Sequence, residues 1–340
     1  MKRARRLAPG INILFLLAVI LAMVASLEIA LRLLGEKLYV PVVFNIKVEP
    51  GGRFYQADPG LGYRHLPGKF TLTLPDGYGF QVTHGNNTLR ITHPEQQDGE
   101  SSGKPQIWIF GGSFTHGWGL NDSETYPWLL QERFPDHELV NFGVGGYGTI
   151  HALIQFREAL DSGISPRLVI VAYGSFHNTR NICSRLYRKA IIPHNRLGEL
   201  MLPCGRLGSH GELVVVQKKL GYTPLPFMTY SALMNRIERL YVSHEGKFRK
   251  SQEVTQAILK EMQNICQQRK ILLLVATLTN DAGTQELNAF CQAQGIKTVD
   301  ITVDLKVQEN TNFPHDSHPS PKANQEYAQK LEPVIREMLQ

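Results

Sequence analysis

The pattern of apolar and polar residues predicts an α/β domain in the second two-thirds of the chain. Short apolar runs, typical of strands buried on both faces, alternate with stretches of helical spacing. The predicted strands cover 106–110, 137–142, 167–173, 271–277 and 297–301, and the predicted helices cover 125–134, 150–160, 231–240, 251–268, 285–294 and 321–339. Strand–helix alternation favours a parallel sheet with helices on both faces. The expected fold class is therefore a three-layer α/β/α domain over residues 106–340.

Two other segments lack this alternation. Residues 35–105 contain short alternating runs separated by Gly, Pro and Asn, such as FTLTLPDG (70–77) and FQVTHGNN (80–87). Such runs are typical of strands joined by turns, so we expect a β-rich N-terminal extension. Residues 183–225 have no clear periodicity and are predicted to be an insertion over one face of the α/β domain.

The N-terminus has the pattern of a transmembrane helix over residues 11–34. As a helix this segment would be about 36 Å long, and a hydrocarbon core is about 30 Å thick. Glu28 and Arg32 lie four residues apart and can pair on one helical face. The basic tail 1–10 should remain in the cytoplasm. We therefore expect a single-pass protein of the bacterial inner membrane with an extracytoplasmic, periplasmic domain.

Two alternatives stay open for this helix. It is a cleaved signal peptide if the small residues Val24-Ala25-Ser26 form a cleavage site. It is a buried helix of a soluble protein if the basic residues before it have no role in orienting it in a membrane. The anchor and the signal peptide both place the chain beyond about residue 40 outside the cytoplasm.

Charge gives no support for nucleic-acid binding. The 340 residues include 36 Lys+Arg and 30 Asp+Glu, for a net charge of +6. Four positive charges lie within the first six residues, which leaves only +2 for the rest; they are Lys2, Arg3, Arg5 and Arg6. A nucleic-acid surface needs positive charge clustered on a folded face.

The four cysteines suggest one disulfide and no metal site. Cys183 and Cys204 bracket a loop-like stretch and are the candidate pair in an oxidising compartment. Cys266 and Cys291 lie in helical patterns and are expected to be buried thiols. There is no CxxC motif and no cysteine neighbours a histidine, so neither a zinc site nor a cofactor is expected.

Residues suited to catalysis follow the predicted strands, whose carboxyl ends are where open parallel sheets bind ligands. The first strand is followed by GGSFTHG (111–117), which places Ser113 on a turn into a helix. There its hydroxyl is exposed near a positive helix end, as a nucleophile requires. The turn is not a phosphate loop, because no Gly-Lys-Ser/Thr follows, and Thr115 departs from G-x-S-x-G. The alternative interpretation is that the glycines of this turn serve only the close packing of the strand against the helix.

Three further segments have matching chemistry. NFGVGGYG (141–148) follows the second strand and can direct backbone N–H groups at an anion. GSFHNTRN (174–181) is a polar cluster after the third strand. PHDSHPS (314–320) precedes the last helix and supplies Asp316 and His318, the carboxylate and imidazole that a serine nucleophile needs. Taken singly, these segments are equally explained as flexible loops, a surface turn or a metal-binding fragment.

Together the four segments resemble the sequence blocks of the SGNH/GDSL hydrolase superfamily, over residues 106–335 and most of all its membrane-anchored bacterial members. The resemblance implies a flavodoxin-like sheet and a catalytic triad. Ser113 would be the nucleophile, His318 the base and Asp316 the acid that orients it. Gly146 would contribute to the oxyanion hole.

The chain departs from the family pattern at two blocks. Gly112 replaces the usual Asp before the serine. The third block reads Phe176-His177-Asn178 where the family has Gly-x-Asn-Asp, so the oxyanion donor is either His177 or Asn178. Alignment of the strands without gaps favours His177, and residue type favours Asn178. The acid-to-base spacing is also one residue shorter than in the simplest members.

The resemblance implies a membrane-anchored serine esterase acting on ester-linked acyl groups. Location suggests acyl esters of envelope glycans or lipids as substrates. Two alternatives stay open: an O-acyltransferase, if a sugar hydroxyl rather than water accepts the acyl group, and a catalytically inactive glycan-binding protein, which the altered third block favours. The expected partners are the acyl ester and the membrane, with no nucleic acid and no cofactor.

Overall fold

The computed structural model describes residues 9–42, 45–98 and 103–340, without the side chains of residues 9–12, 97 and 98. The basic residues of the N-terminal tail at positions 2, 3, 5 and 6 lie outside the described residues. The chain divides into two compact units. One comprises Met1–Val43 and Tyr222–Glu245, and the other comprises Phe44–Gly221 and Gly246–Gln340. The second unit contains all the predicted site residues.

The elements alternate along the chain largely as the sequence pattern predicts. The chain begins with helix α1 (Pro9–Leu33), and the extension contains β1 (Lys47–Glu49), β2 (Tyr55–Asp58), β3 (Gly62–His65), β4 (Gly68–Thr73) and β5 (Gly79–His84). The first part of the α/β domain contains β6 (Gln106–Phe110), α2 (Ser113–His116), α3 (Tyr126–Arg133), β7 (Glu138–Asn141), α4 (Thr149–Asp161), β8 (Leu168–Tyr173) and α5 (His177–Asn181). The next segment contains α6 (Arg185–Ile191), β9 (Met201–Leu207), β10 (Leu213–Lys219) and α7 (Ala232–Phe248). The last part contains α8 (Ser251–Arg269), β11 (Leu272–Thr277), α9 (Ala282–Ala293), β12 (Lys297–Asp300) and α10 (Pro321–Leu339). Short 3-10 helices cover Pro94–Asp98, Asp122–Glu124, Ile192–His194 and Gln308–Asn310.

A five-stranded parallel sheet lies at the centre of the second unit. Its strand order is β12-β11-β8-β6-β7, and all its pairings are parallel. Counted within this sheet, the order is 5-4-3-1-2, which is the flavodoxin-like arrangement with its switch point between the first and third strands. The three-layer, flavodoxin-like fold class is therefore confirmed.

Helices cover both faces of this sheet, and alternate residues of each strand face opposite layers. In β6, Trp108 and Phe110 join an apolar cluster that includes Phe156 of α4 and Ile258 of α8. Ile107 and Ile109 join a second cluster, with residues of α3 and α10. Burial on both faces explains why this strand is an uninterrupted apolar run in the sequence.

The extension confirms the predicted strands and turns. Strands β1, β4 and β5 form a three-stranded antiparallel sheet, and β2 pairs with β3. The runs at 70–77 and 80–87 correspond to β4 and β5. Strands β1 to β5 belong to the same compact unit as the parallel sheet.

The segment 183–225 contains regular structure that periodicity did not indicate. It includes helix α6 and an antiparallel hairpin of β9 and β10. Strand β9 reads MLPCGRL, in which Pro and Gly interrupt the alternation that would identify a strand. The hairpin is stabilised by burial of Leu202 and Cys204 in a cluster with Tyr147 and Tyr187.

The cysteine predictions are confirmed. Cys183 and Cys204 form a disulfide that links the end of α5 to β9. Cys266 and Cys291 are free and buried. Burial raises the pKa of both thiols to about 12, so they are protonated near neutral pH.

The first unit contains α1 and most of α7. Residues Ile13–Leu33 form a helix of 21 residues that is long and apolar enough to cross a membrane, and none of its most apolar stretch is buried. The predicted pairing of Glu28 with Arg32 is confirmed at 2.6 Å. Glu28 also accepts hydrogen bonds from the Ser231 hydroxyl and from the N–H groups of Ala232 and Leu233. It thereby caps the N-terminus of α7, where a negative charge is favourable.

Candidate active site

Ser113 is the first residue of α2, directly beyond the carboxyl end of β6. The first N–H groups of a helix have no acceptor within it, so this turn directs an amide and a hydroxyl away from the sheet. A Cβ on Gly112 would lie 2.8 Å from Arg180 Nη1 and 3.2 Å from the Tyr147 carbonyl oxygen. A side chain at this position would require the Arg180 guanidinium to move and would make a tight contact with the Tyr147 carbonyl.

The structure brings Ser113, His318 and Asp316 together. The Ser113 hydroxyl lies 2.9 Å from His318 Nε2. On the other side of the ring, His318 Nδ1 is hydrogen-bonded to Asp316 Oδ1. Since a carboxylate only accepts, Nδ1 carries the proton and Nε2 presents its lone pair to the serine.

Asp316 is held by two further hydrogen bonds. The His318 backbone N–H donates to Oδ1 at 2.6 Å, and Trp118 Nε1 donates to Oδ2 at 3.1 Å. Burial of this carboxyl raises its pKa, but the His318 and Trp118 interactions outweigh burial and hold the pKa of Asp316 below its usual value. Asp316 is therefore an ionised carboxylate near neutral pH. Trp118 is a positioning residue that the sequence pattern did not identify.

The β-rich extension contacts the loop that contains the acid and base. His315 Nδ1 lies 2.6 Å from Asp76 Oδ2, in the turn between β4 and β5. The His315 ring stacks on Tyr78, with ring centroids 4.4 Å apart. The Tyr78 hydroxyl in turn donates to the Gly119 carbonyl at 2.9 Å, just beyond Trp118. The extension thus helps to position Asp316 and His318.

The glycine loop after β7 packs against the serine turn. The Val144 N–H donates to the Gly111 carbonyl at 3.2 Å. Gly146 has a φ of +83°, in the left-handed region that favours glycine. A Cβ there would lie 2.5 Å from the Tyr63 hydroxyl oxygen, and that hydroxyl donates to the Gly145 carbonyl at 2.8 Å. Only glycine combines this conformation with this close contact.

Of the two alternatives in the third block, His177 lies against the serine turn. Its Nε2 is 3.3 Å from the position of a Cβ on Gly112. The ring is buried, and neither ring nitrogen has a hydrogen-bond partner among the described residues. Burial, reinforced by the charge of Arg180, lowers the pKa of His177 far below its usual value, so the ring is neutral.

Asn178, the other alternative, is hydrogen-bonded to residues of β8 and α8. Its Oδ1 accepts hydrogen bonds from the Tyr173 hydroxyl at 2.9 Å and from Thr255 Oγ1 at 2.7 Å. Its Nδ2 donates to Gln252 Oε1. Thr255 and Gln252 belong to α8, so the Asn178 amide attaches α5 to that helix.

Arg180 is a further residue that the sequence analysis did not select, although it lies in the polar cluster after β8. Its Nη1 donates to the Tyr147 carbonyl at 2.8 Å, and its guanidinium lies 4.6 Å from the centre of the Phe176 ring. Burial lowers the pKa of Arg180, yet a guanidinium stays charged in proteins. A buried positive charge therefore lies beside the Ser113 turn.

Comparison with known proteins finds similarity among solved structures only. Neither a protein-family model nor a curated protein matches the sequence. Among solved structures, a putative lipolytic protein of the G-D-S-L family from Desulfitobacterium hafniense is 13% identical, with 68% of this chain and 99% of that chain covered and a TM-score of 0.40.

Two other solved structures are esterases. The psychrotrophic esterase EstA from Pseudoalteromonas sp. is 14% identical, covering 69% of this chain and 99% of that chain with a TM-score of 0.39. The SGNH-hydrolase family esterase AlinE4 is 17% identical, covering 71% of this chain and 100% of that chain with a TM-score of 0.33. The first of the three structures is described as a G-D-S-L family protein and the third as an SGNH-hydrolase family esterase.

The lowered pKa of Asp316 predicts a pH-dependent contribution to stability. A carboxyl group whose pKa is lower in the folded state stabilises that state above its unfolded pKa of about 3.9, and the contribution is lost as the pH falls through the folded pKa. The difference in unfolding free energy between wild type and Asp316→Asn should therefore shrink as the pH is lowered below about 4. Urea denaturation of the full chain in detergent from pH 7 to pH 3 measures it. Parallel pH curves for the two proteins would contradict the prediction.

Proposed function

We propose that this chain is a membrane-anchored serine hydrolase of the SGNH type that cleaves ester-linked acyl groups. The observation that carries the proposal is the distance of 2.9 Å between Ser113 Oγ and His318 Nε2, with Asp316 behind the ring. A serine, an imidazole and a carboxylate in this order form the arrangement that activates a hydroxyl for attack on a carbonyl carbon.

In the acylation step, His318 Nε2 takes the hydroxyl proton of Ser113 as Oγ bonds to the ester carbonyl carbon. The bond from that carbon to the alcohol oxygen then breaks, and the leaving oxygen takes the proton from His318. Asp316 stabilises the imidazolium that exists between these two transfers. In deacylation, His318 takes a proton from water, the hydroxyl displaces Ser113 Oγ, and the proton returns to the serine.

The negative oxygen of the tetrahedral intermediate needs donors that are already in place. We assign this role to the backbone N–H groups of Ser113 and Gly146 and to an Nε2–H tautomer of His177. The guanidinium of Arg180 adds a fixed positive charge beside the turn. The family's asparagine is thus replaced by a neutral histidine supported by an arginine. This replacement argues against the inactive glycan-binding alternative, because an oxyanion donor is still supplied.

Anchoring through α1 is supported by two features of the first unit. The most apolar stretch of the helix buries none of its surface, unlike the core helix of a soluble protein. Glu28 and Arg32, which follow the small residues Val24-Ala25-Ser26, are bonded to the residues that start α7. We propose that α1 is retained and crosses the inner membrane, with acyl esters of envelope lipids or glycans as substrates.

The nucleophile is tested with the full chain in detergent and a short-chain nitrophenyl ester. Ser113→Ala should lower kcat/KM by at least about 10³-fold, because no other group can form the acyl-enzyme. Ser317→Ala removes an exposed serine from the loop of His318 and should leave the rate within about twofold. A fluorophosphonate should add once to Ser113 and more slowly in His318→Ala, as measured by mass spectrometry. Equal labelling of Ser113→Ala would remove Ser113 from the mechanism, and hydrolysis only on addition of a sugar acceptor would identify a transferase.

If His177 is the oxyanion donor, a substitution of His177 should affect mainly kcat, and a substitution of Asn178 should affect mainly stability. His177→Phe should lower kcat by about 10²–10³-fold, the usual cost of removing an oxyanion donor, with little change in Tm. Asn178→Ala should lower the unfolding free energy by about 2–3 kcal/mol, because three buried hydrogen bonds are lost, while kcat of the folded enzyme changes little. Kinetics and thermal denaturation of both variants distinguish the roles. The reverse pattern would assign the oxyanion donor to Asn178.

Retention of α1 is tested on the intact protein in bacterial membranes. The full chain should remain in the pellet after alkaline carbonate extraction, because about 20 apolar residues keep the helix in the bilayer. Its intact mass should include residues 11–34. Protease added to spheroplasts should digest the domain after α1, which would lie outside. A mature chain that begins just after Ser26 would identify a signal peptide instead.

A further inference from the structure

Three buried histidines form a cluster that the proposed ester chemistry does not use. His65, His84 and His116 are the last residues of β3, β5 and α2. Each is at most 1% exposed. The ligating nitrogens of the three side chains all lie within 4.8 Å of one another. Two extension strands and the helix that begins at Ser113 therefore converge on one small volume.

The hydrogen bonds within this cluster leave buried nitrogen atoms unsatisfied. His84 Nδ1 lies 3.0 Å from the Leu66 carbonyl, which only accepts, so Nδ1 carries the proton and Nε2 has a lone pair. That lone pair faces His116 Nε2 at 3.1 Å. Both ring nitrogens of His65 and Nδ1 of His116 lack a partner among the described residues. Any neutral tautomer of His65 thus leaves one buried N–H and one buried lone pair unmatched, which is costly.

A histidine whose Nδ1–H is held by a backbone carbonyl is oriented as metal-bound histidines are. Tetrahedral zinc sites have Zn–N distances of about 2.0–2.1 Å, which place two ligand nitrogens about 3.4 Å apart. The separation of 3.1 Å between His84 Nε2 and His116 Nε2 is close to this value. The His65 ring stacks on the His84 ring with centroids 4.1 Å apart, and its ligating nitrogen lies within 4.8 Å of those of the other two histidines.

The three imidazoles are neutral, so each has a lone pair to offer a cation. Burial lowers the pKa of His84 to about 3 and the pKa of His65 and His116 well below the usual value, and the positive charge of Arg90 lowers all three further. Arg90 is the charged side chain near the cluster, but it forms an ion pair with Asp122 at 3.1 Å. Its remaining N–H groups donate to carbonyls, among them those of His116 at 2.6 Å and Leu120 at 2.7 Å. The guanidinium is therefore directed at oxygen atoms and not at the imidazoles.

We propose that His65, His84 and His116 bind one zinc or copper ion. Three imidazoles without a carboxylate suit these two metals among the common biological cations. The ion would bind the unmatched lone pair of His65 and replace the contact between two facing Nε2 atoms with two metal–nitrogen bonds. It would also fasten strands β3 and β5 to α2, and so fix the helix whose first residue is Ser113. The site is independent of the proposed ester hydrolysis.

Metal content of the full chain tests this proposal. The protein is prepared in detergent with an affinity tag other than polyhistidine, incubated with excess Zn²⁺ or with Cu⁺ kept reduced by ascorbate, and passed over chelating resin. We expect about one ion per chain by mass spectrometry of the elements, together with a higher Tm. His65→Phe keeps an aromatic ring in the stack and should lower the metal affinity at least about tenfold. His151→Phe changes another buried histidine, on α4, and should retain the metal.

A second measurement does not depend on the folding of a variant. X-ray absorption of the loaded wild-type protein should show imidazole nitrogens at about 2.0–2.1 Å from the metal and no sulfur. Less than about a tenth of an ion per chain with both metals, or equal retention by a folded His65→Phe, would overturn the proposal. Sulfur ligation would also overturn it, because it would place the ion on cysteine. A chain without metal would mean that water or the imidazoles alone fill the cluster.

Discussion

The parallel pairing of five strands is the constraint on which the candidate site depends. Parallel strands have their carboxyl ends at one edge, so the loops after β6, β7 and β8 and the loop before α10 meet there. Ser113 and His318 are 205 residues apart in the chain, and only this arrangement brings their polar atoms to 2.9 Å. Strands β6, β7 and β8 are buried along their whole length, since helices cover both faces of the sheet. The loops can therefore contain Gly and polar residues without loss of the core.

The extension is part of the site's support. Its β4–β5 turn holds His315 through Asp76 and Tyr78, and Tyr63 contacts the glycine loop. Two of its strands also supply His65 and His84, which pack against His116 of the nucleophile helix. Residues remote from the reacting atoms thus set the positions of the base and of α2. A loop that contains the acid and base is mobile unless other elements restrain it, and the extension provides that restraint.

Three side chains at the site have different charges because their surroundings differ. Asp316 is ionised because hydrogen bonds outweigh its burial. His177 is neutral because it is buried beside a guanidinium. Arg180 remains charged and is satisfied in part by the Tyr147 carbonyl. A negative charge therefore lies behind the His318 ring and a positive charge beside the serine turn, the distribution that the proposed transfer of a proton from Ser113 to His318 requires.

The sequence by itself determined the layers of the fold and selected Ser113, His318 and Asp316, whose side chains lie together in the structure. The predicted strand 106–110 and helix 321–339 coincide with β6 and α10. A strand buried on both faces is a continuous apolar run, and a helix buried along one side has apolar residues at helical spacing, so both are recognisable in the sequence. Hairpin β9–β10 has no such pattern, because Pro and Gly interrupt the alternation of apolar and polar residues in β9. It is stabilised instead by a disulfide and by contacts with neighbouring aromatic residues.

Only the tertiary structure showed that His177 and Asn178 have different contacts, and only it brought Arg180 to the serine turn and assembled the three-histidine cluster. Neighbouring residues on a short helix point in different directions, so one of them faces the serine turn and the other faces α8. His65, His84 and His116 follow no local spacing, because they belong to three separate elements. The spacing of apolar residues in the sequence indicates which face of a helix or strand is buried. Contacts between distant elements depend on how those elements pack together, which the spacing does not indicate.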